Sequence, residues 1–327
     1  MIVVHAYPRL HLTLLDLAGC SLRKYGGAGL SLNALPVVVE ANRANSPSLT
    51  GTRFLDARGQ EDLQGAFARI SALMQGTAVH VNVQSSPPQH VGLGTKTSLV
   101  LGVLKAAQLA ADAKLDDRRL QELSFRGGTS GVGINAFFTG GFLTDGGHPY
   151  DQKSFRPSSA SRPTSIPPVI CQMQIPTKWN FYLALPFGKR QSGTKEMDFF
   201  SKNTPLPEIE AFNAIALIYQ GVAPAIKMSD LKLMIASLRR LHRTGFKKRE
   251  LARQSEETQR LYRSFDELSG CAAGMSSMGP LVYAIYEEGN TATSDALFRI
   301  CEEAGAQTLA VCSGRNSGYE VGVDASE

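Results

Sequence analysis

Apolar residues recur along the chain at two spacings, and the switches between them mark out its elements. Residues 2–7 and 12–17 hold clustered or alternating apolar positions on either side of Pro8-Arg9-Leu10-His11, which predicts two short strands joined at a polar corner. Tyr25-Gly26-Gly27-Ala28-Gly29-Leu30 predicts a flexible turn leading into a further strand from Val37 to Glu40. Glu61 to Met74 carries helical spacing, Ala78 to Gln84 reads as a strand, and an Ala- and Leu-rich helix starts near Thr97. Asp116 to Ser124 predicts another helix, with Asp116 or Asp117 as its cap. A strand follows at Trp179 to Leu185. Helical spacing then dominates at Glu208 to Tyr219, Ser229 to Leu241 and Glu256 to Leu268, before strands near Thr308 to Cys312 and Tyr319 to Val323. Residues 151–168 are rich in Ser and Pro and predict a linker between an N-terminal α/β half, 1–150, and a C-terminal α+β half, 169–327. The expected class is therefore α+β, two layers packed together.

Composition narrows the picture. The chain has 327 residues, enough for a large core, and 43% hydrophobic with 19% charged residues is ordinary for an enzyme. No apolar run in the sequence approaches the roughly 20 residues that span a membrane, and Met1 to Arg9 lacks the look of a signal peptide, so a cytoplasmic location is expected. Five cysteines without CxxC spacing predict buried free thiols rather than disulfides or zinc. Net charge is +5, much of it between Arg239 and Arg253, where only Glu250 opposes the run. Lacking interleaved aromatics, that run predicts a solvated face or an anion-attracting rim rather than a nucleic-acid site.

Candidate chemistry lies in three glycine-rich stretches. Pro88-Gln-His-Val-Gly92-Leu-Gly94-Thr95-Lys96-Thr97-Ser98 runs straight into a helix. Its glycines allow tight turning, the helix N-terminus and hydroxyls offer donors, and Lys96 adds positive charge, a combination suited to a diphosphate or triphosphate. A plain helix start has the same look. The stretch is neither a Walker A loop nor a dinucleotide fingerprint. Arg126-Gly127-Gly128-Thr129-Ser130-Gly131-Val132-Gly133 is a second such loop, opening into Gly140 to His148, and the two together predict a bipartite phosphate site. Gly270 to Ile285 reads as a third glycine loop at the start of a helix. Lys189 and Arg190, in a polar loop, suit either an anion or solvent.

The proline followed by Gly92-Leu93-Gly94 resembles the second motif of the GHMP kinases. Kinases of that superfamily commonly carry G-T-P-S-G-x-D in the next loop, where the Asp activates the attacking hydroxyl. Aligning Gly127 to Val132 on that pattern puts Gly133 where the Asp should be. With Pro8-Arg9-Leu10-His11, the segment Arg126 to Gly133, Gly140-Gly141-Phe142 through His148, and Gly274-Met275-Ser276-Ser277-Met278-Gly279-Pro280, the chain resembles one branch, the β-ribofuranosylaminobenzene 5′-phosphate synthases and their relatives of C-nucleoside antibiotic synthesis.

That resemblance implies a GHMP-kinase-like fold that transfers ribose 5-phosphate from phosphoribosyl pyrophosphate to an aromatic carboxylate, with loss of CO2 and pyrophosphate, aided by Mg2+. It implies that Gly92, Gly94, Thr95, Lys96, Thr97 and Ser98 hold pyrophosphate, and that Arg126, Gly127, Gly128, Thr129 and Ser130 hold pyrophosphate or the 5′-phosphate. Asp145 and His148 fall to the ribose or the metal and, with Lys96, to catalysis. Arg9, His11, Ser276, Ser277 and Lys189 fall to the acceptor; the metal ligands stay unassigned, and a homodimer is expected. Thr95-Lys96-Thr97 departs from the more usual Ser-Gly-Thr. That departure points to an amino-pyrazole dicarboxylate acceptor over 4-aminobenzoate or 4-hydroxybenzoate. An ATP-dependent small-molecule kinase and a non-catalytic phosphate-ligand sensor stay open alongside it.

Overall fold

The computed structural model describes residues 1–74, 76–151, 155–158, 160–161, 163, 165–187 and 194–323. The chain opens with strands β1 (Ile2–Ala6), β2 (Arg9–Asp16), β3 (Arg23–Ser31), β4 (Val37–Arg43) and β5 (Ser48–Thr50). Helix α1 (Ala57–Ser71) leads to β6 (Val79–Ser85), and helices α2 (Thr95–Ala110), α3 (Asp117–Ser124) and α4 (Val132–Thr139) follow, then β7 (Phe142–Asp145) and β8 (His148–Pro149). Next come β9 (Val169–Met173), β10 (Trp179–Leu185), α5 (Thr194–Asn203), α6 (Glu208–Leu217) and α7 (Ala223–Met228). After α8 (Leu231–His242), α9 (Gly245–Ala252) and α10 (Glu256–Glu267), the chain closes with β11 (Cys271–Met275), β12 (Val282–Glu287), α11 (Thr291–Glu303), β13 (Gln307–Ser313) and β14 (Glu320–Val323). The class is α+β, as expected.

Three sheets organise these elements, in the orders β14-β1-β4-β6-β5, β2-β3-β7-β9 with β8 beside β3, and β11-β12-β10-β13. Strict alternation in β4 and β6 buries Val37, Val39, Ala41, Val79, Val81 and Val83 on one face. Helix α2 is apolar almost all round, with Leu99, Val100, Leu101, Val103, Leu104, Ala106 and Ala107 buried, so it runs through a core rather than over a surface. Two pairings cross the expected linker: β9 joins β7, and β14 joins β1. The largest core cluster likewise mixes Leu10, Leu12 and Leu30 with Trp179, Phe181, Ile218, Leu238 and Tyr283.

Two expected elements differ. Tyr25 to Leu30 is the middle of strand β3, not a turn. Its glycines serve close approach: a Cβ on Gly27 would lie 2.3 Å from Ser130 Oγ and 2.8 Å from His11 Nε2. Gly270 to Ile285 is the antiparallel pair β11–β12 rather than a helix start, in keeping with its β-branched and aromatic Val282-Tyr283-Ala284-Ile285-Tyr286. The helical run Glu208–Met228 also exceeds the sequence expectation, because a π-helical segment, Ile218–Val222, joins α6 to α7. By length and composition alone it is long and apolar enough to cross a bilayer. Ala211, Ala214, Ile218, Val222, Ala225 and Ile226 nonetheless face the protein core, which accounts for its apolar character. All five cysteines are free; Cys271, Cys301 and Cys312 are buried, while Cys20 and Cys171 are partly exposed.

Candidate active site

The first glycine loop takes its shape from what presses on it. Gly92 (φ 104°) and Gly94 (φ 72°) lie where a side chain is strained, and their Cβ atoms would meet Ser276 O at 2.4 Å and Arg9 Cζ at 2.9 Å. Gly94 ends the loop, and α2 starts there with no side-chain cap; Thr97 N donates to Gly94 O at 2.9 Å, which leaves the amides of Thr95 and Lys96 to other partners. Thr95 and Ser98 turn into the protein, donating to Pro88 O and Tyr7 O at 3.0 and 3.1 Å. Lys96 is ion-paired with Asp62 of α1, and Thr97 Oγ1 accepts from Arg126 Nε at 3.3 Å.

The second loop is braced from behind. Ser130 Oγ donates to Asp145 Oδ2 at 2.7 Å, and Asp145 Oδ1 accepts from Gly147 N at 2.9 Å. Burial pushes the Asp145 carboxyl up to about 6 against these hydrogen bonds. His148 Nε2 lies 2.8 Å from Gly127 O, so that nitrogen carries the proton and donates, while Nδ1 is buried without a partner. Burial lowers the His148 pKa, which favours this neutral form. Gly128 packs on Ser161, where a Cβ would meet Ser161 O at 2.2 Å.

Strand β2 supplies the third wall. Arg9 Nη1 donates to Gly92 O at 2.7 Å, while its buried Nε has no partner. Neither Arg9 nor Arg126 forms an ion pair among the described residues. Burial, and then the charge of Arg126, lowers the Arg9 pKa to about 10, and burial lowers Arg126 as well. His11 is held well below its usual value by burial, then by Arg9 and Lys247, and is neutral at pH 7. Ser276, fully buried, donates to Gly92 O at 2.8 Å and accepts from His11 N at 3.0 Å, tying the β11 hairpin to both loop and strand. Ser277 N donates to His11 O at 2.8 Å. From α9, Lys247 Nζ donates to Ser277 O at 2.8 Å and pairs with Glu250 Oε2 at 2.8 Å, both side chains being buried.

These walls enclose a cavity of about 280 Å³. It is lined by Arg9, His11, Gly92, Gly94, Thr95, Lys96, Thr97, Arg126, Gly127, Thr129, Ser130 and Ser277, so most of the expected residues converge. Ser98, Gly128, Asp145, His148 and Ser276 stand outside that lining and shape it. Lys189 lies outside the described residues. Sequence reasoning passed over Leu14, Asp56, Arg58, His90, Glu196, Phe200, Glu250, Arg253 and Met278, which also line the cavity. Only the basic run on α8 and α9 hinted at them, as a rim. Much of that run is otherwise engaged: Arg239 and Arg243 pair with Asp266, and Arg249 with Glu210. Among the described residues no group of three or more His, Cys, Asp or Glu is placed to hold a metal ion.

Comparison with known proteins bears on what this cavity does. A family model described as the GHMP kinases N terminal domain matches residues 62–141. The β-ribofuranosylphenol 5′-phosphate synthase of Methanothermobacter thermautotrophicus is 33% identical over 326 residues, covering 97% of this chain and 97% of that protein. The protein of the same name from Archaeoglobus fulgidus is 34% identical over 317 residues, covering 96% and 97%. Among solved structures, homoserine kinase from Cytophaga hutchinsonii matches with a TM-score of 0.69 at 11% identity, covering 98% of this chain and 97% of that one, a likeness of fold alone.

Proposed function

The chain belongs to the β-ribofuranosylphenol 5′-phosphate synthase family, on the GHMP-kinase fold, and from that premise we propose that it is a decarboxylating C-ribosyltransferase. It joins C1 of phosphoribosyl pyrophosphate to the carboxyl-bearing ring carbon of 4-hydroxybenzoate or 4-aminobenzoate, releasing CO2 and pyrophosphate. The phenol in the relatives' product supports such a benzoate acceptor over the amino-pyrazole dicarboxylate suggested by Thr95-Lys96-Thr97.

One observation carries the reading: Arg9 and Arg126 bring two guanidinium groups, neither in an ion pair, to one cavity between two glycine loops. Asp62 and Glu196 only partly offset the charge of Arg126, so an anionic ligand between the two guanidinium groups is favoured. The proposed substrates bring a diphosphate, a 5′-phosphate and a carboxylate. In this assignment the amides of Gly94, Thr95 and Lys96, with the Lys96 side chain, hold the diphosphate, and Arg126 with Gly127, Thr129 and Ser130 holds the diphosphate or the 5′-phosphate. Arg9, His11 and Ser277 meet the acceptor carboxylate. Departure of the diphosphate leaves positive charge at C1, so donors fixed around the leaving group stabilise the transition state. Asp145 and His148 act at one remove, by orienting Ser130 and the Gly127 carbonyl.

Asp56 or Glu196 of the lining would hold Mg2+ together with the bound donor, because Mg2+ commonly uses one or two carboxylates plus substrate phosphates. Bound so, it would neutralise charge on the leaving diphosphate. The kinase alternative is less well served: Gly133 lines the cavity beside Thr97, where the superfamily's kinases carry their Asp. Purified protein incubated with phosphoribosyl pyrophosphate, Mg2+ and each benzoate is expected to release pyrophosphate and CO2 together. ADP formed from ATP and a small alcohol, without pyrophosphate from the donor, would instead establish the kinase.

A further inference from the structure

Among the carboxylates of the cavity lining, the reaction proposed above leaves Glu250 without a task. Three carboxylates line the cavity: Asp56, Glu196 and Glu250. Asp56 caps α1 through Gly59 N at 2.7 Å and is exposed, and Glu196 is partly exposed. Glu250 is only 6% exposed. It stands on α9 one turn from Phe246, whose apolar cluster includes Phe200, Leu14 and Met278, the apolar part of the cavity wall. Contacts link the walls in order: Arg9 donates to Gly92 O, Ser276 joins Gly92 O to His11 N, Ser277 N donates to His11 O, and Lys247 bridges Ser277 O and Glu250. Arg9 and Glu250 therefore stand at the two ends of this chain of contacts, with His11 between them.

We infer that Glu250 is the catalytic base that accepts the proton of the acceptor's para hydroxyl or amino group while the ring attacks the sugar. The inference rests on the benzoate acceptor proposed above, since a benzoate gripped by its carboxylate at the arginine end presents its para substituent away from that end. The attacked carbon is para to the O–H or N–H, so loss of that proton drives an electron pair through the ring to that carbon. The new bond forms to C1 of the ribose as the bond from C1 to the diphosphate oxygen breaks, and pyrophosphate leaves with that pair. The ring is now a cyclohexadienone, or its imine, still bearing the carboxylate, and the proton is on Glu250. Loss of CO2 returns the carbon–carbon pair to the ring and restores aromaticity. The phenolate or anilide oxygen or nitrogen then takes the proton back from Glu250, so acid and base balance over the cycle. Burial raises the Glu250 carboxyl, and Lys247 only partly opposes it, which makes it a stronger base than an exposed glutamate.

The test compares Glu250→Gln with the wild-type chain on 4-hydroxybenzoate and on a ring-fluorinated 4-hydroxybenzoate whose phenol is already ionised, following pyrophosphate. With 4-hydroxybenzoate, kcat is expected to fall about 100-fold with the donor KM unchanged, and with the fluorinated acceptor by about a tenth of that factor. Equal losses on both acceptors overturn the assignment while leaving the proposed reaction intact. If Glu250→Gln does not fold, the wild type decides alone, on a series of fluorinated acceptors at one pH. A shallow dependence of kcat/KM on phenol acidity supports a base in the site, and strict proportionality to the phenolate fraction overturns it. No turnover by the wild type with any benzoate overturns the proposed reaction and this assignment with it.

Discussion

Two ends of one cavity treat charge in opposite ways. At the glycine-loop end, Arg9 and Arg126 are half-buried with no ion pair among the described residues, and burial lowers both pKa values. At the α9 end, Lys247 is buried more deeply but pairs with Glu250 and a carbonyl, so that pair is already neutral. The difference separates what each end was built for. A half-buried cation without a partner favours an anion, whereas a satisfied pair at rest presents no net charge for a ligand to cancel.

Breaking the α9 pair should have the largest effect. Lys247→Met leaves Glu250 as an uncompensated buried carboxylate, and a loss of about 3–5 kcal/mol in unfolding free energy is expected by urea denaturation. A change below about 1 kcal/mol would mean that the two ends do not differ as described. Arg126→Ala should do the reverse. Its ligand-free stability is expected to hold or rise, while kcat/KM for the donor falls about 100-fold or more. A destabilised but fully active variant would remove Arg126 from the anion site.

The smallest effect concerns the brace behind Ser130. Because burial raises Asp145 to about 6, the folded state holds that proton more tightly than the unfolded state does. Its contribution to stability is full below about pH 4 and is lost as pH rises to about 6. Asp145→Asn removes the titration, so the stability difference between wild type and variant should shift over that window by on the order of 2 kcal/mol and stay flat above it. A difference independent of pH between about 4 and 7 would show that Asp145 is not raised.

Much of the site was legible before folding, because its signals are local. Gly92, Gly94 and the apolar helix after them are neighbours in sequence, and a tight turn before a helix follows from their conformational preferences alone. Gly127 to Ser130 declared themselves in the same way. The glycines of β3 did not, because their reason is a close approach to Ser130 and Val132, about a hundred residues away. The hairpin β11–β12 was hidden by its own glycines, which outweighed the β-branched and aromatic residues after Pro280.

The sequence by itself determined the α+β class and the two glycine-rich turns, since composition, spacing and backbone preference act over a few residues, and its likeness to the kinase pattern marked Gly133 where those kinases carry an aspartate. Tertiary structure alone decided which of those groups face the cavity. It turned Ser98 and Ser276 into the protein to satisfy buried carbonyls, set Asp145 and His148 behind the loop, and brought Glu250 to the wall from α9. The physical reason is that a side chain's direction is settled by its hydrogen-bond partners and by the depth at which its charge is compensated, and both are supplied by residues far away in the chain.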